Sequence, residues 1–358
     1  MATMKDIASL SGVSVATVSY VLNGTKKLSP EVEARVLKAI EQTHYQPNTI
    51  AKSLRMKKTH IIGVLVEDIC GMPVPEIVDG INQYLENSGY QVLLSNLRLL
   101  EKLHNQYEQL PHYTDIVNQG MRLMENARVD GIIYVAMHDR LITGIRHPVH
   151  IPMAYAYATT ESDAILNVTY DNENSAYEIT KHLIELGHKR IALIAGHPAS
   201  SDAQLRLSGF RVAMDEAGIY VPAEYIRWGD WEYQSGIEQG DALMEMVVRP
   251  TAIFAMNDTM AAGCYRAIKN HKLHIPEDIS VAGFDNREIA HLINPPLTTV
   301  ELPNREIGYQ AARRLLARIE KTESSPSAVM LRCQIIPRDS VAPPPEGRGA
   351  RDVQGRCP

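Results

Sequence analysis

Apolar positions in the first sixty residues recur at helical spacing in three short bursts. Ile7, Ala8 and Leu10 form the first, which predicts a helix over Met4 to Leu10 that turns these residues towards a core. Ser11-Gly12-Val13-Ser14 interrupts it: Gly12 suits the positive φ that closes a tight helix end, and Ser14 suits the cap of a new helix. In the second burst Val18, Val21 and Leu22 face inward, which leaves Val15, Ala16 and Tyr20 on an outer face, and Asn23-Gly24 ends the helix. Ser29-Pro30-Glu31 then starts a third helix, with a cap, a proline in the first turn and acids at the positive end of the dipole. Val32, Val36 and Ile40 make its apolar stripe. Two short helices joined by a tight turn, with a third covering their apolar faces, form a helix-turn-helix. A small helical bundle without a nucleic-acid role has the same pattern.

From Ile61 the pattern changes. Ile61 to Val66 is a continuous apolar run, as a parallel strand buried on both faces requires. Helix Glu76 to Gly89, strand Gln91 to Ser95, a further helix and strand Gly131 to Ala136 follow. After Asp171 the alternation restarts with helix Asn174 to Gly187, strand Arg190 to Ala195 and helix Gln204 to Gly218. Strand Ala252 to Ala255, helix Met260 to Lys269 and strand Ser280 to Phe284 complete it. Alternating strands and helices in two runs predict an α/β body of two doubly wound parallel-sheet lobes. Ligands in such sheets gather at the carboxyl ends of strands, so the cleft between lobes is the expected site.

Charge sharpens the division. Residues 1–60 carry nine Lys/Arg against four Asp/Glu, while the remainder carries 27 against 38, so a head of net +5 precedes a body of net −11. A basic head suits nucleic acid, although a solvated basic helix surface gives the same count. No apolar run approaches the roughly 20 residues that span a bilayer. The acid in the opening Met1-Ala-Thr-Met-Lys-Asp-Ile does not fit a secretory signal. Cys70, Cys264, Cys333 and Cys357 have no metal-ligand spacing and read as reduced thiols, consistent with a cytoplasmic protein. No cofactor or metal is expected, and no nucleophile, zinc or phosphate-loop motif is present. His188, His197 and Asp202 lie close in sequence but mark no catalytic centre, so an enzyme is not expected. A transport protein with the same two-lobed body would lack the basic head.

The segments Met4-Lys-Asp-Ile-Ala, Val13 to Ser19 and Asn23-Gly24, followed by His44-Tyr45-Gln-Pro47-Asn48 and Ala51-Lys-Ser-Leu54-Arg55, resemble the signature of the lactose/galactose repressor (LacI/GalR) family. The body resembles the same family, and through it the periplasmic sugar-binding proteins. The matching stretches are Gly187-His-Lys-Arg190, Arg206 to Phe210, Asn257 to Ala261, Val281 to Asn286 and Pro295 to Thr299. The resemblance implies a sequence-specific DNA-binding regulator, a repressor, controlled by a small-molecule effector that is a sugar or sugar derivative. It implies a homodimer on a pseudo-palindromic double-stranded operator. It places Val15, Ala16 and Tyr20 at base edges, with Thr17 and Ser19 nearer the phosphates, and counts Asn23 among the DNA-binding residues. It makes the segment from Asn48 to Met56 a hinge helix whose Leu54 wedges into the minor groove, with Lys52 and Arg55 on phosphates. Arg206, Trp231, Asn257 and Asp285 match effector contacts. An Arg fork and an Asp carboxylate suit adjacent hydroxyls, and an aromatic face suits the C–H side of a sugar. Read without the resemblance, Arg206 and Asp285 are equally a structural ion pair, Asn257 a helix cap and Trp231 a core residue.

The expected organisation is a helix-turn-helix domain over residues 1–46, a hinge over 47–59, an effector-binding and dimerisation body over 60–340 and a disordered tail over 341–358. Three features depart from the family pattern. Met72-Pro73-Val74-Pro75 stands where adjacent aromatics are usual, a carboxylate is missing near Tyr157, and Leu97 to Tyr113 is longer than the usual link. No leucine heptad marks the tail for tetramerisation.

Overall fold

A computed structural model describes residues 2–23, 26–45, 58–103, 113–322 and 327–345. Contacts divide the chain into two compact units, Met1–His60 and Ile61–Pro358.

The first unit contains α1 (Met4–Ser11), α2 (Val15–Asn23) and α3 (Pro30–Thr43). Thr3 caps α1 in a reciprocal box with Asp6, and Gly12 closes it at φ 66°. The Ser14 hydroxyl accepts from the Thr17 amide at 3.1 Å and starts α2. Ser29 caps α3 through the Val32 amide at 3.4 Å. Ile7, Val18 and Val36 form a fully buried core with Ala8 and Ala39. Leu10 corrects the expected inward stripe, because it is 58% exposed. Ile7, Ala8 and Ser11 occupy the inward face of α1, and Leu10 falls on its flank. Ser11 tolerates burial because its hydroxyl donates to the Ile7 carbonyl at 2.6 Å.

The second unit begins with β1 (Ile61–Val66), α4 (Val74–Asn87), β2 (Gln91–Asn96), α5 (Leu99–Leu103), α6 (Thr114–Asn126), β3 (Gly131–Val135), β4 (Met153–Ala156) and β5 (Leu166–Tyr170). A second run follows: α7 (Asn172–Glu185), β6 (Ile191–Ala195), α8 (Ser201–Glu216), β7 (Ile226–Trp228), α9 (Tyr233–Met244), β8 (Ala252–Ala255), α10 (Asp258–Asn270) and β9 (Ser280–Ala282). The chain ends with α11 (Glu288–Leu292), β10 (Thr299–Glu301), α12 (Asn304–Glu320), β11 (Ala328–Leu331) and β12 (Gln334–Ile336).

Two parallel sheets result, as expected. The first has six strands in the order β11-β5-β4-β3-β1-β2, and the second has four in the order β7-β6-β8-β9. The chain leaves the first lobe after β5, builds the second, and returns with α12 and β11, whose Ala328 pairs with Asn167 of β5. β12 then pairs antiparallel with β10. In the first lobe α12 packs on α4 at very close range. A Cβ on Gly308 would stand 1.9 Å from the Ile77 carbonyl, and one on Gly80 the same distance from that of Arg305.

Two expectations of irregular chain change. The stretch from Leu97 to Tyr113 contains α5, and the Tyr113 hydroxyl ties back to the Lys102 carbonyl at 2.9 Å; residues 104–112 lie outside the described residues. The ordered body also passes residue 340. Ala342 exchanges hydrogen bonds with the Ser280 hydroxyl and takes one from the His188 ring, so the tail does not begin at 341. Residues 346–358 lie outside the described residues. Among the described residues no helix is long and apolar enough to cross a membrane, and no cluster of His, Cys, Asp and Glu would hold a metal.

Candidate functional site

In the head, α2 presents Val15, Ala16 and Tyr20 on its exposed side and buries Val18 completely; Thr17 and Ser19 are half-buried. Lys26 lies over the Tyr20 ring at 5.7 Å, and Lys5, Lys27, Arg35 and Lys38 are exposed. The outer face is therefore small, apolar and aromatic, with cations around it. Such a face suits methyl contact and phosphate neutralisation rather than extensive hydrogen-bond reading of bases. The side chain of Asn23, and the hinge residues Lys52, Leu54 and Arg55, lie outside the described residues.

In the body the ends of β1, β3, β6, β8 and β9 converge on a cleft between the lobes, as open α/β sheets require. Arg206, Trp231, Asn257 and Asp285, expected together, line one cavity there. Arg206 projects inward from α8 and is 3% exposed. Its Nε donates to Asn172 Oδ1 at 2.8 Å, its Nη2 to the Tyr170 hydroxyl at 2.8 Å and its Nη1 to the Met256 carbonyl. Asp285 Oδ1 stands 3.7 Å away. The guanidinium lies 3.8 Å above the Phe284 ring and 5.5 Å from the Trp231 ring. The ion-pair reading of Arg206 and Asp285 is thus realised at the cavity wall itself.

Trp231 sits at φ 76°, and its indole lies against Gly196, where a Cβ would come within 2.0 Å of the ring. Its Nε1 is buried and has no partner among the described residues. Asn257 both caps α10, accepting from the Met260 amide at 2.7 Å, and donates to the Trp231 carbonyl at 2.9 Å. Both ends of its side chain are therefore occupied, the oxygen in the helix cap and the amide nitrogen on the Trp231 loop.

Across the cleft, Asn304 at the start of α12 donates to Glu76 at 2.9 Å, while its buried Oδ1 has no partner among the described residues. Met72 and Pro73 supply apolar wall where aromatics were usual. The missing carboxylate is supplied from elsewhere: Asp202, one turn before Arg206 on α8, accepts from Asn172 Nδ2 at 2.7 Å and lines the cavity. Sequence reasoning missed this role, although the spacing of Asp202 and Arg206 places both on one helix face. His138, Tyr157, Arg287 and Asn304 were also missed.

Burial sets the electrostatics. It pushes Asp202 up to about 6 against the pull of Arg206, and pushes Asp139 up to about 7 with the help of Asp202. Asp258 rises to about 7 by burial and the nearby Asp285, and Asp285 itself is raised by burial against Arg206. His138 falls to about 4, through burial and then the Arg140 charge, and is neutral at physiological pH. The histidines that lie close in sequence have other roles: His188 is buried between Thr251 and Ala342 at 2.9 and 2.8 Å, and His197 Nδ1 accepts from the Ala199 amide at 3.2 Å.

A DNA-reading helix-turn-helix on a two-lobed, ligand-binding body defines a class of effector-responsive transcription regulators. Residues 3–48 match the bacterial regulatory proteins, lacI family, and residues 180–341 match the periplasmic binding protein-like domain. The HTH-type transcriptional repressor PurR of Vibrio cholerae is 35% identical over 95% of this chain and 98% of its own length. The ribose operon repressor of Haemophilus influenzae is 32% identical over 95% and 99%. Among solved structures, the lac repressor dimer bound to operator and the anti-inducer ONPF superposes with a TM-score of 0.77 at 26% identity, covering 95% of this chain and 99% of that one. A complex of the transcriptional regulator CelR with cellobiose gives 0.60 at 26% identity, over 95% and 100%. The chain belongs to the lacI family of bacterial regulatory proteins. It is a DNA-binding transcriptional repressor of that family and not an enzyme.

Proposed function

We propose that the protein is a cytoplasmic homodimer that represses from a pseudo-palindromic operator, and that a sugar or sugar derivative in the cleft sets its operator affinity. The observation that carries this reading is a pair of buried polar atoms without partners among the described residues, on two residues that line one cavity from opposite lobes: Trp231 Nε1 from the second and Asn304 Oδ1 from the first. A hydroxylated ligand gives an acceptor to one and a donor to the other, and so joins the lobes. Trp231 covers its C–H face, and Arg206 with Asp285 offers a charged edge to its hydroxyls. Joining the lobes shifts the spacing of two hinges in a dimer, which links effector and DNA affinity reciprocally. Residues 1–46 read DNA, with Val15, Ala16 and Tyr20 at base edges; residues 47–59 form the hinge, in which Leu54 wedges into the minor groove and Lys52 and Arg55 meet phosphates.

A thermal-shift screen of sugars and nucleobases against the whole protein tests this, because a ligand of the folded state raises Tm. The expected result is stabilisation by a sugar that also changes operator affinity. Stabilisation by nucleobases alone would overturn the carbohydrate reading. Asp285→Ala is expected to lower sugar affinity at least about tenfold while sparing DNA binding in the absence of sugar. Leu54→Ala is expected to weaken operator binding about tenfold and reduce DNA bending, with salt-sensitive non-specific binding retained; an unchanged bend would remove Leu54 from the wedge role.

A further inference from the structure

Beside the Trp231 cavity lies a larger one, of about 380 Å³ against about 80 Å³. It too is walled by both lobes, with Glu67, Tyr134, Arg140 and Ile142 on the first and Ser200 on the second. His138 lines both cavities, so they share a wall. A ligand ring held against Trp231 can extend past His138 into this cavity.

The larger cavity has a definite chemistry. Glu67 is fully buried and accepts from the Tyr134 hydroxyl at 2.5 Å, the Met137 amide at 2.9 Å and Arg140 Nη1 at 3.1 Å, with Arg140 Nη2 on its other oxygen. Arg140 Nη1 also reaches the His138 carbonyl at 3.4 Å. The two charges cancel, and Arg140 is the one Lys or Arg among the lining residues. An anionic group entering here would be buried without a cation to meet it. Ser200 gives the positive half of the specification. It is 4% exposed, its hydroxyl makes no capping bond to α8, and that hydroxyl has no partner among the described residues. Buried hydroxyls without partners are uncommon, and one at a cavity wall fits a ligand that supplies the partner.

We propose that the effector is elongated: one sugar ring lies against Trp231, and a second, uncharged ring passes His138 into the Glu67–Ser200 cavity and bonds the Ser200 hydroxyl. This rests on the carbohydrate reading of the cleft and deepens it, because it selects neutral two-ring saccharides over monosaccharides and sugar phosphates.

Calorimetric titration of the full chain with glucose, galactose, ribose and glucose 6-phosphate, beside cellobiose, lactose and maltose, tests it. The expected result is a disaccharide that binds at least about tenfold more tightly than its component rings. Leu141 lies on the rim of the larger cavity and is 51% exposed, so Leu141→Trp adds bulk there without entering the core. It is expected to weaken the disaccharide about tenfold and to leave the monosaccharides within about twofold. Ser200→Ala is expected to weaken the disaccharide about fivefold, the loss of one hydrogen bond, with the Tm of the free protein unchanged. Equal affinity for one and two rings, or a Ser200→Ala Tm drop without loss of disaccharide binding, would overturn the inference. Monosaccharide binding that depends on Asp285 and gains nothing from a second ring removes this inference alone. Failure of every saccharide removes the carbohydrate reading and this inference with it.

Discussion

The two walls of the cleft handle charge in opposite ways. On the first-lobe wall Glu67 and Arg140 neutralise each other, Tyr134 completes the pair, and Met72, Pro73 and Met137 add apolar surface. On the second-lobe wall Arg206, Asp202 and Asp285 crowd together with Trp231, and burial holds both carboxylates above their ordinary range. The first wall pairs its charges internally and leaves the neutral Asn304 Oδ1 without a partner among the described residues, whereas the second carries carboxylates raised by burial and an unpartnered indole N–H. The difference teaches where to look for recognition: on the function proposed above, the second lobe discriminates hydroxyl patterns, and the first limits size and charge.

Three substitutions would break or sharpen that contrast. The largest effect is expected from Glu67→Ala, which strands Arg140 in a partly dry site; loss of one partner of a buried pair costs about 3–5 kcal/mol. Denaturant unfolding should show this, and the double change Glu67→Leu with Arg140→Met should recover most of it. If Glu67→Ala costs less than about 1 kcal/mol, the first wall is not the self-supporting element described. Next comes Gly196→Val. Its side chain would occupy the position of the Trp231 ring, so ligand affinity should fall by about 2 kcal/mol while Tm changes less than for Glu67→Ala. Titration calorimetry beside thermal unfolding separates the two effects.

The smallest effect concerns pH. The Asp139 carboxyl rises to about 7 in the folded chain, so the fold favours its protonated form. That contribution is present in full below the ordinary carboxylate value near 4 and is lost as pH rises through about 7. Asp139→Asn should therefore flatten the decline of stability between pH 5 and pH 8 by about 1 kcal/mol, read from Tm across that interval. An unaltered slope would assign the decline to other groups, Asp258 first.

Legibility followed the same division. β1 and β8 were readable because unbroken apolar runs of four to six residues have few other uses. β7, of three residues, is too short to express a period, and β11 alternates on an edge with only partial burial. α12 passed unread, although it is the longest helix among the described residues, because its exposed face carries so many charged residues. In the site, Arg206, Trp231 and Asp285 were reached through family resemblance rather than through their own spacing. Asn257 was legible twice over, since capping and cavity lining use the same side chain. Asn304 could not be found along the chain, because only the return of the chain between lobes brings α12 to the cleft; His138 and Tyr157 follow the ends of β3 and β4, where a search of strand ends finds them.

That return has a consequence for how the protein is made. The head is contiguous, and all its described core residues precede Tyr45. The first sheet, by contrast, cannot close until β11 leaves the ribosome and pairs with β5, and the second lobe still waits for Ser340 and Ala342 to reach β9. Contacts of such sequence separation form late and slowly. During synthesis a DNA-reading head therefore exists well before any part of the chain can sense a ligand, and a prematurely terminated chain keeps the reader without its control.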